Sequence, residues 1–376
     1  MRTRSVLTAA SIAFAFTCAN AQTTTGSFMH GGVLRDYRLY VPAIYNGATP
    51  VPLIFNLHGY TSDAVQQEFY ADFRPIADTA NFILVHPNGT LDPLGNRFWD
   101  TFGAGTVDDL GFLTALIDTL SAHYNIDADR VYSTGMSNGG FMSYDLACFR
   151  STRIAAIASV TGNMLASRLA SCAAVHPTPV MQIHGTADPT VNYNGGSGML
   201  PIEDLVTHWV QFNNCSPTPT ITQVPDINTT DGCTAEHRVY TGGDAGSTVE
   251  FYKIIGGEHT WPGSPVVIGV TNQDFSARVE IWRFFRQYRL SALTGIEVAT
   301  SARSPFTITQ DIAGDLVIRF SSSRDRMITL FGATGQMVAQ QRSATDLAHV
   351  AVRTPGVYLV SVLEGDKRST QRVVCF

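Results

Sequence analysis

The sequence predicts an α/β fold, a mostly parallel sheet with helices on both faces, followed by a small all-β sandwich domain. Three observations carry this. From about residue 36 to 290, apolar β-rich runs alternate with amphipathic segments, which implies a parallel sheet covered on both sides. The run "VPLIFNLHG" is almost unbroken in its hydrophobicity, as strands buried on both faces are. After Leu290 the pattern changes to period-2 alternation with turn glycines and no helix signal.

In chain order, "YRLYVP" and "VPLIFNLHG" read as strands, and "SDAVQQEFYADFRPIADTAN" as one helical stretch opened by a Ser or Asp cap. "FILVHPNG" is a strand ending in a turn. "TVDDLGFLTALIDTLSAHY" is a helix whose first turn carries Asp108 and Asp109, where the helix dipole favours negative charge. "RVYSTG" is a strand and "NGGFMSYDLACF" a helix. "PVMQIHG" and "TVEFYKIIGG" are strands, and "FSARVEIWRFFRQYRL" is the closing helix.

At the N-terminus two arginines precede a short apolar run ending in Ala19-Asn20-Ala21, the layout of an export leader over 1–21. The expected organisation is then a large α/β domain over 22–291, a linker over 292–302, and a β-sandwich over 303–376. The expected location is extracellular or attached to the cell surface. A formal charge of −6, 15% charged residues and no basic cluster argue against nucleic acid or anionic membrane as partners. No later segment is long and apolar enough to span a bilayer. Without Cys18 in the leader, five cysteines remain. Pairing by proximity in an oxidising compartment joins Cys148 to Cys172 and Cys215 to Cys233, with Cys375 left over. No C-x-x-C or H-E-x-x-H pattern occurs, so no metal and no cofactor is expected.

The chemistry centres on "RVYSTGMSNGGF". A G-x-S-x-G pattern alone decides little, but Ser137 here follows an apolar strand and opens a helix, the setting of a nucleophile held in a tight turn. Gly135 and Gly139 let strand and helix approach closely. A serine hydroxyl needs a base, and the base an orienting carboxylate. Downstream, "PVMQIHGTADPTV" presents Asp188 and "VEFYKIIGGEHTWPG" presents His259, each after its own strand and in the order this architecture uses. The oxyanion hole is expected from the N–H of Asn138 and from the Gly59 loop, at Tyr60 or Thr61. His86 and His184 read as structural, Asp108 and Asp109 as helix-start residues, and Glu258 has no evident role. Trp99, Tyr193 and Trp261 are expected beside an open site that would suit a polymer or a bulky aromatic acyl group.

Taken together, "LHGYTSD", "VDDLGFL", "IDADRVYSTGMSNGGFMSYDLAC", "IHGTADPTV" and "GGEHTWPG" resemble secreted polyhydroxybutyrate depolymerases and related feruloyl or acetylxylan esterases, over residues 36 to 290. The resemblance implies an α/β-hydrolase fold and a secreted serine carboxylic-ester hydrolase. It makes Ser137 nucleophile, Asp188 acid and His259 base, with Gly59, Tyr60 and Asn138 at the oxyanion hole. The chain departs from the family pattern at Tyr60, where many relatives read "LHGC", and at Glu258, where a glycine is common. The tail "LFGATGQMVAQQ…TPGVYLVSVLEGDKRSTQRVVCF" looks like a C-terminal type IX secretion sorting domain, which makes the secretion machinery a partner. The competing reading of the tail is a polymer-binding module, which would show a stripe of exposed aromatics. Phe306, Phe320, Phe331, Tyr358 and Phe376 fall instead mostly at core-type positions. For the whole protein, the competing class is a non-catalytic surface protein on the same scaffold, with a serine peptidase as a further option on this fold.

Overall fold

The structure, a computed structural model, describes residues 21–102, 107–294, 306–311, 314–332, 336–352, 354–365 and 367–375. All of the expected leader but Ala21 lies outside these residues, as do most of the linker and Phe376. The chain forms two compact units, Met1–Ile296 and Glu297–Phe376.

The first unit is built on a ten-stranded sheet. Its first strands are β1 (Gln22–His30), β2 (Val33–Val41) and β3 (Val51–Leu57), followed by helices α1 (Ala64–Tyr70) and α2 (Arg74–Ala80). Then come β4 (Ile83–Pro87), a small hairpin of β5 (Thr90–Leu91) and β6 (Arg97–Phe98), helix α3 (Asp109–His123), β7 (Ile126–Met136) and helix α4 (Asn138–Phe149). The rest comprises β8 (Ala156–Val160), α5 (Ala166–Ala170), β9 (Val180–Gly185), α6 (Ile202–Phe212), β10 (Thr220–Gln223), β11 (Thr234–Tyr240), β12 (Val249–Ile255), α7 (Ala277–Phe285) and α8 (Leu290–Thr294). The sheet order is β1-β2-β4-β3-β7-β8-β9-β12-β11-β10. Strands β4 to β12 pair in parallel, and the two strands at each edge are antiparallel.

Alternation along the buried strands explains the layers. Leu53, Phe55 and Leu57 enter one core cluster while Ile54 enters the other, so each face of the sheet carries its own packed layer. A parallel sheet sandwiched this way has its strand ends, not its faces, free for chemistry.

Three expectations change. The single helix expected over 62–81 is two, because the backbone leaves the helix at Ala71 and Pro75 opens the next one. Segment 189–246, to which the sequence pattern assigns no strand or helix, contains α6, β10 and β11. Among the cysteines, Cys148 and Cys172 form a disulfide, but Cys215 and Cys233 are free and buried. Their pairing fails because they belong to different core layers: Cys215 follows α6 against Ser247, and Cys233 sits beside Asp231 and Asn272. Burial pushes the Cys233 thiol up to about 12, so it stays protonated. Cys375 is unpaired as expected.

The second unit contains a three-stranded sheet, β13 (Phe306–Gln310), β14 (Leu316–Phe320) and β17 (Leu347–Val350). Its other sheet has four strands in the order β16 (Met337–Ser343), β15 (Arg326–Gly332), β18 (Gly356–Glu364) and β19 (Lys367–Cys375). All pairings are antiparallel. Residues of both sheets share one core, including Phe306, Ile318, Leu330 and Val360, so the sheets pack face to face. Phe306, Phe320 and Tyr358 are buried in or against that core.

Candidate active site

The site forms where β3, β7, β9 and β12 end. Ser137 stands between β7 and α4 with φ 53° and ψ −120°, a left-handed backbone that a residue with a Cβ rarely takes. The turn is held on both sides: the Ser137 N–H donates to Val160 O (2.8 Å), and its carbonyl accepts the first bond of α4 from Phe141 (3.0 Å). The flanking glycines are steric necessities. A Cβ at Gly139 would lie 2.2 Å from Leu57 O, and one at Gly135 would lie 2.5 Å from the Gly139 carbonyl carbon.

Asp188 occupies the turn after β9 with its side chain fully buried, and every acceptor position is used. Oδ1 takes the N–H groups of Thr190 and Val191 (2.8 Å each). Oδ2 takes Nδ1–H of His259 at 2.7 Å and lies 3.3 Å from Nε2 of His184. Burial by itself would raise the Asp188 pKa, but the hydrogen bonds from His184 and His259 outweigh it and hold the carboxyl well below the usual carboxylate range. His259 therefore turns Nδ1 to the carboxylate and leaves Nε2 for a proton from elsewhere.

His184, read from sequence as structural, is part of this arrangement. Tyr144 donates to Gln182 Oε1 (2.7 Å), so the Gln182 amide NH₂ faces Gly162 O and His184 Nδ1 (2.9 Å each). His184 Nδ1 must then accept, which places the ring proton on Nε2, directed at Val191 O (2.8 Å) and Asp188. Sequence reasoning missed this role. The i,i+4 spacing to Asp188 in "HGTAD" was the available signal.

Glu258 also gains a role. Its backbone N–H bonds Val270 O and its carboxylate accepts the Val270 N–H, both at 3.0 Å, which closes the base of the loop that carries His259.

On the other side of Ser137, His58 is buried at the end of β3, donates from Nδ1 to Gly59 O (2.7 Å) and accepts the Gly89 N–H at Nε2 (2.9 Å). Burial lowers its pKa to about 4, so it is neutral in the folded chain near neutrality. Trp99 stacks near it and donates from its indole N–H to His58 O (3.0 Å). The Thr61 N–H is engaged by Arg97 O (2.9 Å), whereas the Tyr60 N–H has no acceptor among the described residues. Of the two expected donors, Tyr60 is thus the one available. The Asn138 N–H lies in the first turn of α4, where helical amides lack intrahelical partners. The Asn138 side chain is spent on holding the segment 99–101, through Trp99 N, Trp99 O and Thr101 Oγ1.

Two clefts open at Ser137. One, of about 510 Å³, is lined by Gly59, Tyr60, Ser137, His259 and Ile268 among others. The other, of about 480 Å³, is lined by Tyr60, Ser137, Asn138 and an aromatic wall including Trp99 and Phe141. Ser137 and His259 thus share a wall, although no hydrogen bond joins their side chains among the described residues. Trp99 borders the second cleft although it is itself fully buried. Tyr193 and Trp261 do not: Tyr193 is in the core with its hydroxyl on Glu203, and Trp261 packs edge-on to Phe73. Both belong to hydrophobic layers rather than to an exposed wall, which corrects their assignment to substrate binding. Asp108 caps α3 through Gly111 N–H (2.8 Å), and Asp109 forms a buried ion pair with Arg35 (2.7 Å) away from the clefts. No cluster of potential metal ligands occurs among the described residues.

Comparison with known proteins fits this geometry. The family model described as Esterase PHB depolymerase matches residues 35–196, a span that contains Ser137 and Asp188 but not His259. A bifunctional acetylxylan esterase/xylanase of Neocallimastix patriciarum is 30% identical over 231 residues, covering 61% of this chain and 31% of that protein. The chain therefore spans about a third of that relative. Feruloyl esterase D of Neurospora crassa is 28% identical over 288 residues, covering 72% of this chain and 88% of that protein. In fold, the chain is similar to an acetyl xylan esterase from Aspergillus awamori, with TM-score 0.52, 13% identity, and coverage of 70% of this chain and 99% of that one. The parallel sheet with helices on both faces is the α/β-hydrolase fold, and over residues 35–196 the chain is similar to the Esterase PHB depolymerase family.

Proposed function

We propose that the protein is a secreted serine carboxylic-ester hydrolase that cleaves polyester or plant cell-wall esters through an acyl-enzyme. The observation that carries this reading is the 2.7 Å hydrogen bond from His259 Nδ1–H to Asp188, made by the ring that shares a cleft wall with Ser137. In the first step Ser137 Oγ forms a bond to the ester carbonyl carbon while its proton passes to His259 Nε2. The N–H groups of Tyr60 and Asn138 receive the oxyanion, each contributing about 10²–10³ in rate. Collapse breaks the bond to the alcohol oxygen, which takes the proton from His259. Water, deprotonated by His259, then attacks the acyl carbon, and collapse returns the proton to Ser137 and releases the acid.

The test is reaction with a fluorophosphonate. The wild-type chain labels and Ser137→Ala does not; an unlabelled wild type would instead indicate a binding protein on this scaffold. Product release from poly-3-hydroxybutyrate, methyl ferulate and acetylated xylan, run in parallel, separates polyester from cell-wall substrates. The relatives named above are called acetylxylan and feruloyl esterases, and this supports the cell-wall side.

The export reading extends to the second unit, which we assign to type IX sorting. Its support is the leader-like N-terminus together with a sandwich whose aromatics Phe306, Phe320 and Tyr358 are core residues rather than an exposed stripe. Intact mass of the protein recovered outside its native cell checks this: loss of about 20 residues at the front and release or anchoring at the C-terminal unit are expected. Retention of both ends on soluble protein would overturn it.

A further inference from the structure

One wall of the second cleft is carried by a strap and not by the sheet. Ser197 and Met199 line that cleft from the loop 194–200. Within the loop Gly195, Gly196, Ser197 and Gly198 are consecutive left-handed residues, with φ of 77°, 119°, 54° and 83°. Glycine takes such a backbone freely, so the tip is a tight coil without the packing of a helix or strand. It leans on the segment that opens α5. Leu165 bridges to Met199, and the Ala166 N–H donates to Gly198 O (2.9 Å). The Leu200 N–H donates to Met164 O (3.3 Å), and Asn163 Nδ2 donates to Leu200 O (2.8 Å).

The position of the wall therefore depends on what holds α5. None of the five residues of that helix is buried, although Leu169 rests half-buried on the core. Two side-chain links tie the segment to α4, the helix that starts at Ser137. One is the disulfide from Cys148 to Cys172. The other is Arg168, whose guanidinium donates to both oxygens of the buried Asp145 (2.6 and 3.3 Å) and lies 4.4 Å from the Phe149 ring centroid. Only the first link can be opened by chemistry at neutral pH. Cys148 is fully buried, whereas Cys172 is half-exposed, so an incoming thiolate reaches the sulfur of Cys172. The remaining cysteines, Cys215, Cys233 and Cys375, are buried and unpaired.

We propose that the Cys148–Cys172 disulfide is a redox latch on the second cleft: closed, it holds the 163–172 strap and with it the Ser197–Met199 wall; open, it lets the wall move away from Ser137. Closing takes two electrons and two protons from the two thiols, which pass by exchange to a disulfide oxidant of the compartment outside the cytoplasm. A dithiol reverses this. Its thiolate bonds to Cys172 Sγ and Cys148 leaves as a thiolate; the second thiol then displaces Cys172 and the reagent departs as a cyclic disulfide. The proposal rests on the ester-hydrolase and export readings and adds a regulation to that site. The enzyme gains its activity on large esters only after it has left the reducing interior.

The experiment uses the folded, oxidised full chain and two esters. Methyl acetate is too small to reach Met199, and phenethyl hexanoate is long on both sides of its ester bond. Dithiothreitol is expected to lower kcat/KM on phenethyl hexanoate about tenfold and to leave methyl acetate within about twofold. It is also expected to expose the loop to thermolysin at Met199 or Leu200. Oxidised glutathione restores both properties. The double variant Cys148→Ala/Cys172→Ala has the ratio of the reduced enzyme and does not respond to the dithiol. Arg168→Met enlarges the response, because two links on one strap are not additive. Equal losses on the two esters would make the disulfide a support of the whole fold, and no loss on either would show a wall that stands without it; both overturn the proposal alone. An oxidised wild type that fails to react with a fluorophosphonate overturns the ester-hydrolase reading, and the proposal with it.

Discussion

His184 illustrates how much a single buried ring decides. Four donors surround the Asp188 carboxylate, and charge-assisted hydrogen bonds of this kind contribute about 1.5–3 kcal/mol each. Three of them come from groups fixed by the turn or by the ring of His259, while His184 reaches in from β9 through the Tyr144–Gln182 chain. Replacing His184 with Phe keeps the volume and removes the proton aimed at Asp188. Stopped-flow or steady-state hydrolysis is expected to give a kcat lower by about tenfold with KM unchanged. His184→Gln, which retains a donor, is expected to recover part of the loss. Equal kinetics for wild type and His184→Phe would reduce the histidine to packing.

At the scale of elements, the acid response of the fold follows from two strand-end histidines. Burial lowers His58 to about 4 and His86 to about 3, against an unfolded value near 6.5. A histidine depressed in the folded state contributes stability that is complete above the unfolded value. That stability declines as pH falls, because the unfolded chain takes the proton first. His58 must also keep Nε2 unprotonated to accept from Gly89, so protonation breaks the junction of β3 with the loop before β5. Urea titrations at pH 7.0 and 5.0 are expected to give an unfolding free energy lower by about 2–4 kcal/mol at the acid value, from these two groups together. An unchanged midpoint would show that another group compensates.

The elements also mark what could be read in the sequence. The parallel strands were legible because burial on both faces leaves continuous apolar runs, and the Ser137 turn because Gly135 and Gly139 are forced by contacts under 3 Å. Helix α6 was missed although Ile202, Leu205, Val206, Trp209 and Val210 form one apolar stripe, because polar stretches surround it. The break between α1 and α2 had its signal in Asp72-Phe73-Arg74-Pro75, where Asp72 accepts the Arg74 N–H and begins a turn. The separation of Cys215 from Cys233 was not legible. Proximity along the chain says nothing about which face of a sheet a residue ends on.

Taken whole, the first unit buries a set of hydrogen-bonded polar groups around the strand ends that carry Ser137 and Asp188. His58, Asn56, Gln67, Asn138, Gln182, His184 and Asp188 are all buried there and all hydrogen-bonded. Networks of this kind specify one arrangement, because each unmet partner in a low-dielectric interior is costly. The placement of Ser137, Asp188 and His259 at strand ends was legible from their order in the chain, but the network around Asp188 was not. Its members lie on two strands, two helices and the loops after β3 and β9, which only the fold brings together.

The left-handed backbone at Ser137 has a consequence for the molecule as a heat-labile object. Conformations of this sort cost about 1–3 kcal/mol when a side chain is attached, and glycine escapes the penalty. A Ser137→Gly chain is therefore expected to be inert toward esters and yet to melt a few degrees higher by calorimetry than the native chain. The proposed nucleophile thus stands on a backbone that disfavours its own side chain, and thermal robustness and turnover are set against each other at a single Cβ.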